Sequence, residues 1–154
     1  MRELIERIEE LLYLQERLGN LLLMSGSGSL KLNLSSALDV LYHNVELLDL
    51  LGEILSGFEQ FQEELSREYI TSLLQEALSW MLVILPAIED SCPIFLQGMV
   101  PDPLLRMKDV LSSLEASSHS DYYMFISLGK EIRDLSSLLK YYILLARRTS
   151  SSLI

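Results

Sequence analysis

The chain has 154 residues, 49% of them hydrophobic and 22% charged, with a net charge of -10 at pH 7. That length builds one compact domain with a real core, or a small domain plus one appended element. An acidic surplus argues against nucleic-acid or anionic-membrane binding as the main job, since phosphate neutralisation needs clustered Lys and Arg. Cys92 is the only cysteine, so an intrachain disulfide and a thiolate metal cluster are both excluded.

The charge is unevenly spread. Residues 1–24 carry three Arg and five Glu, residues 30–92 two basic and eleven acidic side chains, and residues 93–154 seven basic and six acidic. The longest apolar run, Trp80–Ile88, is about half the length that crosses a bilayer, so no transmembrane segment is expected. No basic start followed by an apolar core and a small-residue cleavage site is present, and the single cysteine suits a reducing compartment, cytoplasmic or nuclear.

In chain order, the first predicted helix covers about residues 2–23. Met1, Leu4, Ile8, Leu11, Gln15, Leu18 and Leu22 fall at alternating three- and four-residue steps, a coiled-coil-type seam widened by Ile5 and Leu12. Glu3, Glu6, Arg7, Glu10 and Arg17 belong to the outer face, with Glu3 and Arg7 spaced for an i,i+4 pair. An isolated helix of this length is marginal in water, so its stripe must dock on something.

Residues 25–29 read "SGSGS", and two readings stay open. They form a native polar loop, or an engineered flexible tether joining two polypeptides. Composition favours the tether: residues 30–154 contain 18 serines and residues 1–24 none. Five such residues reach about 12 Å as a random coil, so the leading helix must finish close to where the next begins.

A second helix is expected from Ser35 or Ser36, with Ser36 and Asp39 in a capping arrangement and Gly57 at its end. Leu34, Leu38, Leu41, Val45, Leu48 and Leu55 form its seam, interrupted by Gly52, and "LKLNL" at 30–34 reads as a lead-in rather than a strand. The third segment starts polar at "FEQFQEELSREY" and becomes apolar nearly all round by "ALSWMLVILPAI", the signature of a central helix, with Pro86 expected to kink or end it. A proline-punctuated connection at 91–103 leads to a short helix starting at Asp102 and Pro103 and running to about Ala116. The last helix runs from near Asp121 to about Arg148 on a seam of Phe125, Leu128, Ile132, Leu135, Leu139, Tyr142 and Ala146, followed by a frayed tail.

Chemistry-bearing residues are sparse. His43 sits with Asp39 and Glu46 on neighbouring turns, but a carboxylate-bridged metal site needs a Glu-x-x-His pair from each of two helices. The other histidine, His119, falls in a predicted loop. His43-Asn44 followed by apolar residues resembles, over a handful of positions, the phosphoacceptor helix of histidine kinases. That resemblance implies a histidine phosphotransfer-type four-helix bundle, and the flanking acids oppose an incoming phosphoryl group. Cys92 follows Glu89 and Asp90, which raise a thiol pKa rather than lower it, and there is no nucleophile elbow.

Two charge stripes suit register selection: Asp39, Glu46, Asp49 and Glu53 on the second helix, and Lys130, Arg133, Lys140 and Arg147 on the last. The connection at 91–103 holds Ile94, Phe95, Leu96, Met99 and Val100, an apolar set that either folds under the bundle or forms a docking patch.

The sequence thus predicts an all-α bundle of four to five helices. Residues 1–24 are an amphipathic helix, 25–29 a Ser/Gly linker and 30–154 the bundle domain. The expected function is non-catalytic: an interaction module that assembles a complex by holding an amphipathic partner helix, supplied by residues 1–24 or by another protein, in an apolar groove. Leu4, Ile8, Leu11, Leu18 and Leu22 are the expected contact residues; no cofactor or metal is called for, and the oligomeric state stays open. The alternatives are the His43 phosphotransfer bundle and a bundle that carries an apolar ligand or lipid.

Overall fold

Apolar residues three and four apart share one side of a helix, and that side must meet another apolar surface. The computed structural model describes residues 2–24, 34–57, 66–91, 101–116 and 122–152, which form five helices and no strand. They are α1 (Arg2–Met24), α2 (Leu34–Ser56), α3 (Arg67–Ser91), α4 (Pro101–Ala116) and α5 (Tyr122–Ser152). The architecture is an all-α helical bundle. Ser25–Ser29, residues 30–33 of "LKLNL", Cys92, the apolar set from Ile94 to Val100 and His119 lie outside the described residues.

The seams are the buried faces. Ile70, Leu74, Ala77, Met81, Ile84 and Ile88 of α3 are all buried, as are Phe125, Leu128, Ile132, Leu135, Leu139 and Ala146 of α5. Leu38, Leu41, Val45, Leu48 and Leu55 of α2 join them, and Leu47, Leu51 and Ile54 bury a second side of that helix.

Helix ends depart from expectation in four places. α2 starts at Leu34, so Ser36 lies inside its first turn rather than capping it. Its other end is as expected: the Gly57 N–H donates to the Glu53 carbonyl at 3.0 Å, just past Ser56. α3 begins with a cap at Ser66, whose Oγ accepts from the Tyr69 N–H at 3.1 Å while its carbonyl accepts from Ile70 N–H at 3.2 Å. Pro86 does not end α3, which continues to Ser91. Buried Ile84, Leu85 and Ile88 on either side hold the turn whose backbone donor the proline lacks. α4 starts at Pro101, where the missing N–H costs nothing, rather than at Asp102, and α5 continues through Ser152 rather than fraying after Arg148.

α2 and α5 form the most extensive pair and run antiparallel. Gly129 of α5 meets Leu55 of α2, Arg133 lies against Gly52, Ser136 and Lys140 reach Asp49, and Arg147 covers Tyr42. α3 packs on α1, α2 and α4, and α4 closes against α5. Being apolar on most sides, α3 has neighbours on three. Its Arg67–Ile88 stretch is long and apolar enough to cross a bilayer, and in this fold 44% of that stretch is buried inside the bundle.

The two glycines of the α2–α5 seam differ in what surrounds them. A Cβ on Gly52 would meet the flexible, exposed Arg133 stem at 3.1 Å, whereas one on Gly129 would meet Leu55 Cβ at 3.1 Å with the Ser56 backbone nitrogen at 3.4 Å. Alanine gains up to about 1 kcal/mol over glycine inside a helix. Gly52→Ala should therefore raise the melting temperature. Gly129→Ala must push two backbones apart, an overpacking that costs about 1–3 kcal/mol, and should lower it. Thermal unfolding followed by circular dichroism checks both.

Candidate helix-docking site

The first helix meets two neighbours in different ways. Along α3 it runs parallel: the Tyr69 hydroxyl donates to Glu9 Oε1 at 2.7 Å near one end, and Gly19 lies under the Trp80 ring near the other. Across α2 it runs obliquely, with Arg7 opposite Glu46 and Gln15 opposite Asn44. Ile8, Leu11 and Leu12 are buried between them, and Leu4, Ile5, Leu18 and Leu22 are half-buried against the same core. All five expected contact residues of α1 thus face the bundle. Its outer side leaves Tyr13, Leu14, Leu21, Leu23 and Met24 exposed.

Fully burying a large apolar side chain contributes about 1.5–3 kcal/mol, so Ile8, Leu11 and Leu12 supply most of the docking energy. The polar contacts do something else. Arg7 grips Glu46 with two bonds of 2.8 Å, from its Nε and one terminal nitrogen, and reaches Glu10 at 3.1 Å. Both side chains of the Arg7–Glu46 pair are 40% exposed, so water screens it and its value is geometric more than energetic.

Gln15 is 4% exposed and Asn44 1%. The Gln15 amide donates to Asn44 Oδ1 at 2.6 Å, and the Asn44 amide donates to the Val40 carbonyl at 2.7 Å. Gln15 Oε1 is buried and has no partner among the described residues. Beside this pair is a cavity of about 30 Å³, where Leu11, Leu14, Gln15 and Leu18 of α1 meet Val40, His43 and Asn44 of α2 and Ile84 of α3. A buried polar pair in an apolar seam holds register at a cost in affinity.

Gly19 is equally restrictive. A Cβ there would fall 2.2 Å from the Trp80 ring, closer than any real contact. Glycine in mid-helix costs about 1 kcal/mol relative to alanine, and here it is what lets the indole lie across α1.

The charge stripes divide. Glu46 binds Arg7 of α1, and Asp49 binds Lys140 at 2.8 Å and accepts from Ser136 Oγ. Asp39, Glu53 and Lys130 are exposed, Arg133 packs its stem over Gly52, and the Arg147 guanidinium sits 4.8 Å from the Tyr42 ring centre. Glu46 thus joins α2 to α1, and Asp49 with Lys140 joins α2 to α5. Between α2 and α5 lies an open groove of about 440 Å³, lined by Tyr42, Val45, Ile143 and Leu144 with Glu46, Asp49 and Lys140. His43 is exposed, with Asp39 and Glu46 on its own helix four residues before and three after. Among the described residues no three His, Cys, Asp or Glu side chains gather as a metal site.

Arg7 and Glu3 correct a sequence expectation. Their i,i+4 spacing suggested a pair on the solvated face, but Arg7 flanks the buried stripe and turns to Glu46 and Glu10. Asn44, Gly19, Trp80 and Tyr69 were not singled out as contacts. Asn44 carries a readable signal, since it falls three residues after Leu41 and four before Leu48 on the α2 seam.

Two pH responses follow. Hydrogen bonding to Arg7 holds the Glu46 carboxyl below its ordinary value of 4.5, against a smaller opposing effect of burial. Its contribution to α1 docking is complete above the ordinary carboxylate range and is lost as pH falls through the depressed folded value. The pH dependence of melting should therefore flatten in Glu46→Gln at the acid end. Tyr69 behaves oppositely: burial, then its bond to Glu9, pushes its hydroxyl up to about 12. Its stabilising effect is whole below the usual value of 10.0 and disappears as pH rises through the folded one. An ultraviolet titration should show a late tyrosine in the native chain that is absent from Tyr69→Phe.

No curated protein and no solved structure matches the chain. A family model with the description "Uncharacterized protein" matches residues 1–153, from α1 through α5, and the chain belongs to that family.

Proposed function

We propose that this chain is a non-catalytic helical interaction module that holds an amphipathic helix in an apolar groove, and that α1 is the groove's resident occupant. The observation that carries the reading is the seat of α1. Its stripe is buried between α2 and α3 by Ile8, Leu11 and Leu12, while Arg7 and Gln15 are bonded across the junction to α2. This division between apolar anchors and orienting polar groups is how helix-in-groove recognition works. The family match runs through residues 25–29, which supports α1 and the bundle as parts of one natural chain. The short connection of residues 25–33 keeps the tethered helix at a local concentration in the roughly millimolar range.

Placing a charge in the seam should release the helix without touching the α2–α5 pair. In Leu11→Asp with Leu18→Asp, α1 amides should lose protection from hydrogen exchange while those of α5 keep it. A synthetic peptide of residues 2–24 should then bind the variant and not the wild-type chain, measured by calorimetry. Unchanged melting and unchanged α1 protection in the double variant would overturn the reading.

A further inference from the structure

The orientation of both amides in the Gln15–Asn44 pair follows from a single backbone group. Asn44 meets the Val40 carbonyl at 2.7 Å, and a carbonyl only accepts, so the Asn44 atom there is its amide nitrogen. Asn44 Oδ1 is then the atom turned to Gln15, where it accepts from the Gln15 amide at 2.6 Å. With its nitrogen committed, Gln15 is left with Oε1 as an acceptor to which no group among the described residues donates. Exchanging oxygen and nitrogen in either amide, or in both, would set like groups against each other at Val40 or within the pair.

Gln15 is only 4% exposed, and an acceptor buried to that degree is costly to leave without a donor. Native proteins satisfy nearly all such atoms with protein groups or with ordered water. The cavity of about 30 Å³ beside the pair has room for the second solution, since a water needs about 10–15 Å³. A cavity of this size lined by apolar side chains alone stays dry, and one that holds water offers it two or more polar partners. Here the leucines, Val40 and Ile84 form the apolar wall, and Gln15, His43 and Asn44 supply the polar part. Asn44 has a second amide hydrogen and His43 two ring nitrogens with which such a water can bond. Leu14 and His43 are exposed, which puts the cavity within reach of solvent.

We infer that this notch is a binding site for one ordered water, which donates to Gln15 Oε1 and bridges α1 to the His43–Asn44 turn of α2. The inference rests on the geometry of the α1–α2 junction and holds whether or not the groove serves a partner. The polar unit set into the leucine seam is then two carboxamides and a water, so position 15 carries a hydrated glutamine.

The test uses the whole chain. A crystal structure that resolves ordered solvent should show a peak about 2.8 Å from Gln15 Oε1. In solution, the Leu11 and Leu18 methyl groups, which exchange no protons with water, should show cross-relaxation with it. The laboratory-frame and rotating-frame effects should have opposite signs, the mark of a water that tumbles with the protein. Both signals should be lost in Gln15→Met with Asn44→Leu, which replaces the amide pair by apolar side chains of similar length. Oε1 accepting from the His43 ring, or a wild-type chain without the solvent peak, would overturn the inference. So would effects of equal sign, which belong to a passing surface water, and so would a water that persists in the double variant. Should that variant fail to fold, the wild-type measurements decide by themselves.

Discussion

A helix that is apolar on most of its surface cannot leave one side uncovered in water, and α3 is such a helix. Ile70, Leu74, Leu78, Met81, Ile84 and Leu85 are all buried, and Trp80 and Leu82 lie half-covered on its flanks. α2 and α4 cover part of it, and α1 packs along it more extensively than it packs on any other helix. Covering α3 is therefore the constraint from which the position of α1 follows. Removing α1 would uncover Trp80 and Ile84, which lie beside it, as apolar surface of the kind that marks an interaction site. The same reasoning explains why α1 is amphipathic rather than apolar throughout: it has one face to give and one to keep in water.

Two kinds of interaction divide the work at this junction. Apolar burial is strong but nearly indifferent to register, because leucine against leucine is satisfied at many offsets. The Gln15–Asn44 pair and the Gly19–Trp80 contact are the reverse: weak or costly in energy, but tolerant of one arrangement only. The cost is one of desolvation, since a buried acceptor left without a donor loses about 1–3 kcal/mol. Such a pair makes sense where the alternative arrangements would be worse, which is the circumstance of a repetitive leucine seam.

Much of the fold was legible because the seams of α3 and α5 repeat so regularly. Phe125, Leu128, Ile132, Leu135, Leu139 and Ala146 are buried where the spacing puts them, and Tyr142 of the same seam is half-buried. Helix ends were less legible. Pro86 signals a break by local chemistry, and the packing of Ile84, Leu85 and Ile88 overrides it. Ser36 looks like a cap, yet Ser66 is the serine that caps, and its local sequence is no more distinctive. At the α1 seat, Gln15 was readable as a seam residue, but its partner was not, since periodicity assigns residues to faces without saying which faces meet. Arg7 was misplaced for a related reason. A long side chain beside a stripe can lie on the solvated face or reach across to a neighbour, and only the position of Glu46 decides between them. Gly19 carried no readable instruction, because the indole that demands it lies 61 residues away in sequence.

Under the proposed function, the tether sets how good a competing partner must be. A helix held at roughly millimolar local concentration outcompetes an equal free helix at micromolar concentration by about a thousandfold, or about 4 kcal/mol. A partner with the same contacts would therefore lose. One that buries more apolar surface can win, because α1 does not use the groove fully: Leu4, Leu18 and Leu22 are only half-buried. Completing the burial of two or three such side chains yields a gain of the size needed, at about 1.5–3 kcal/mol for a full side chain and less for one already half covered. The imperfect seat of α1 is thus compatible with both parts of the reading, since an occupant this loosely fitted covers α3 in the absence of a partner and remains displaceable in its presence.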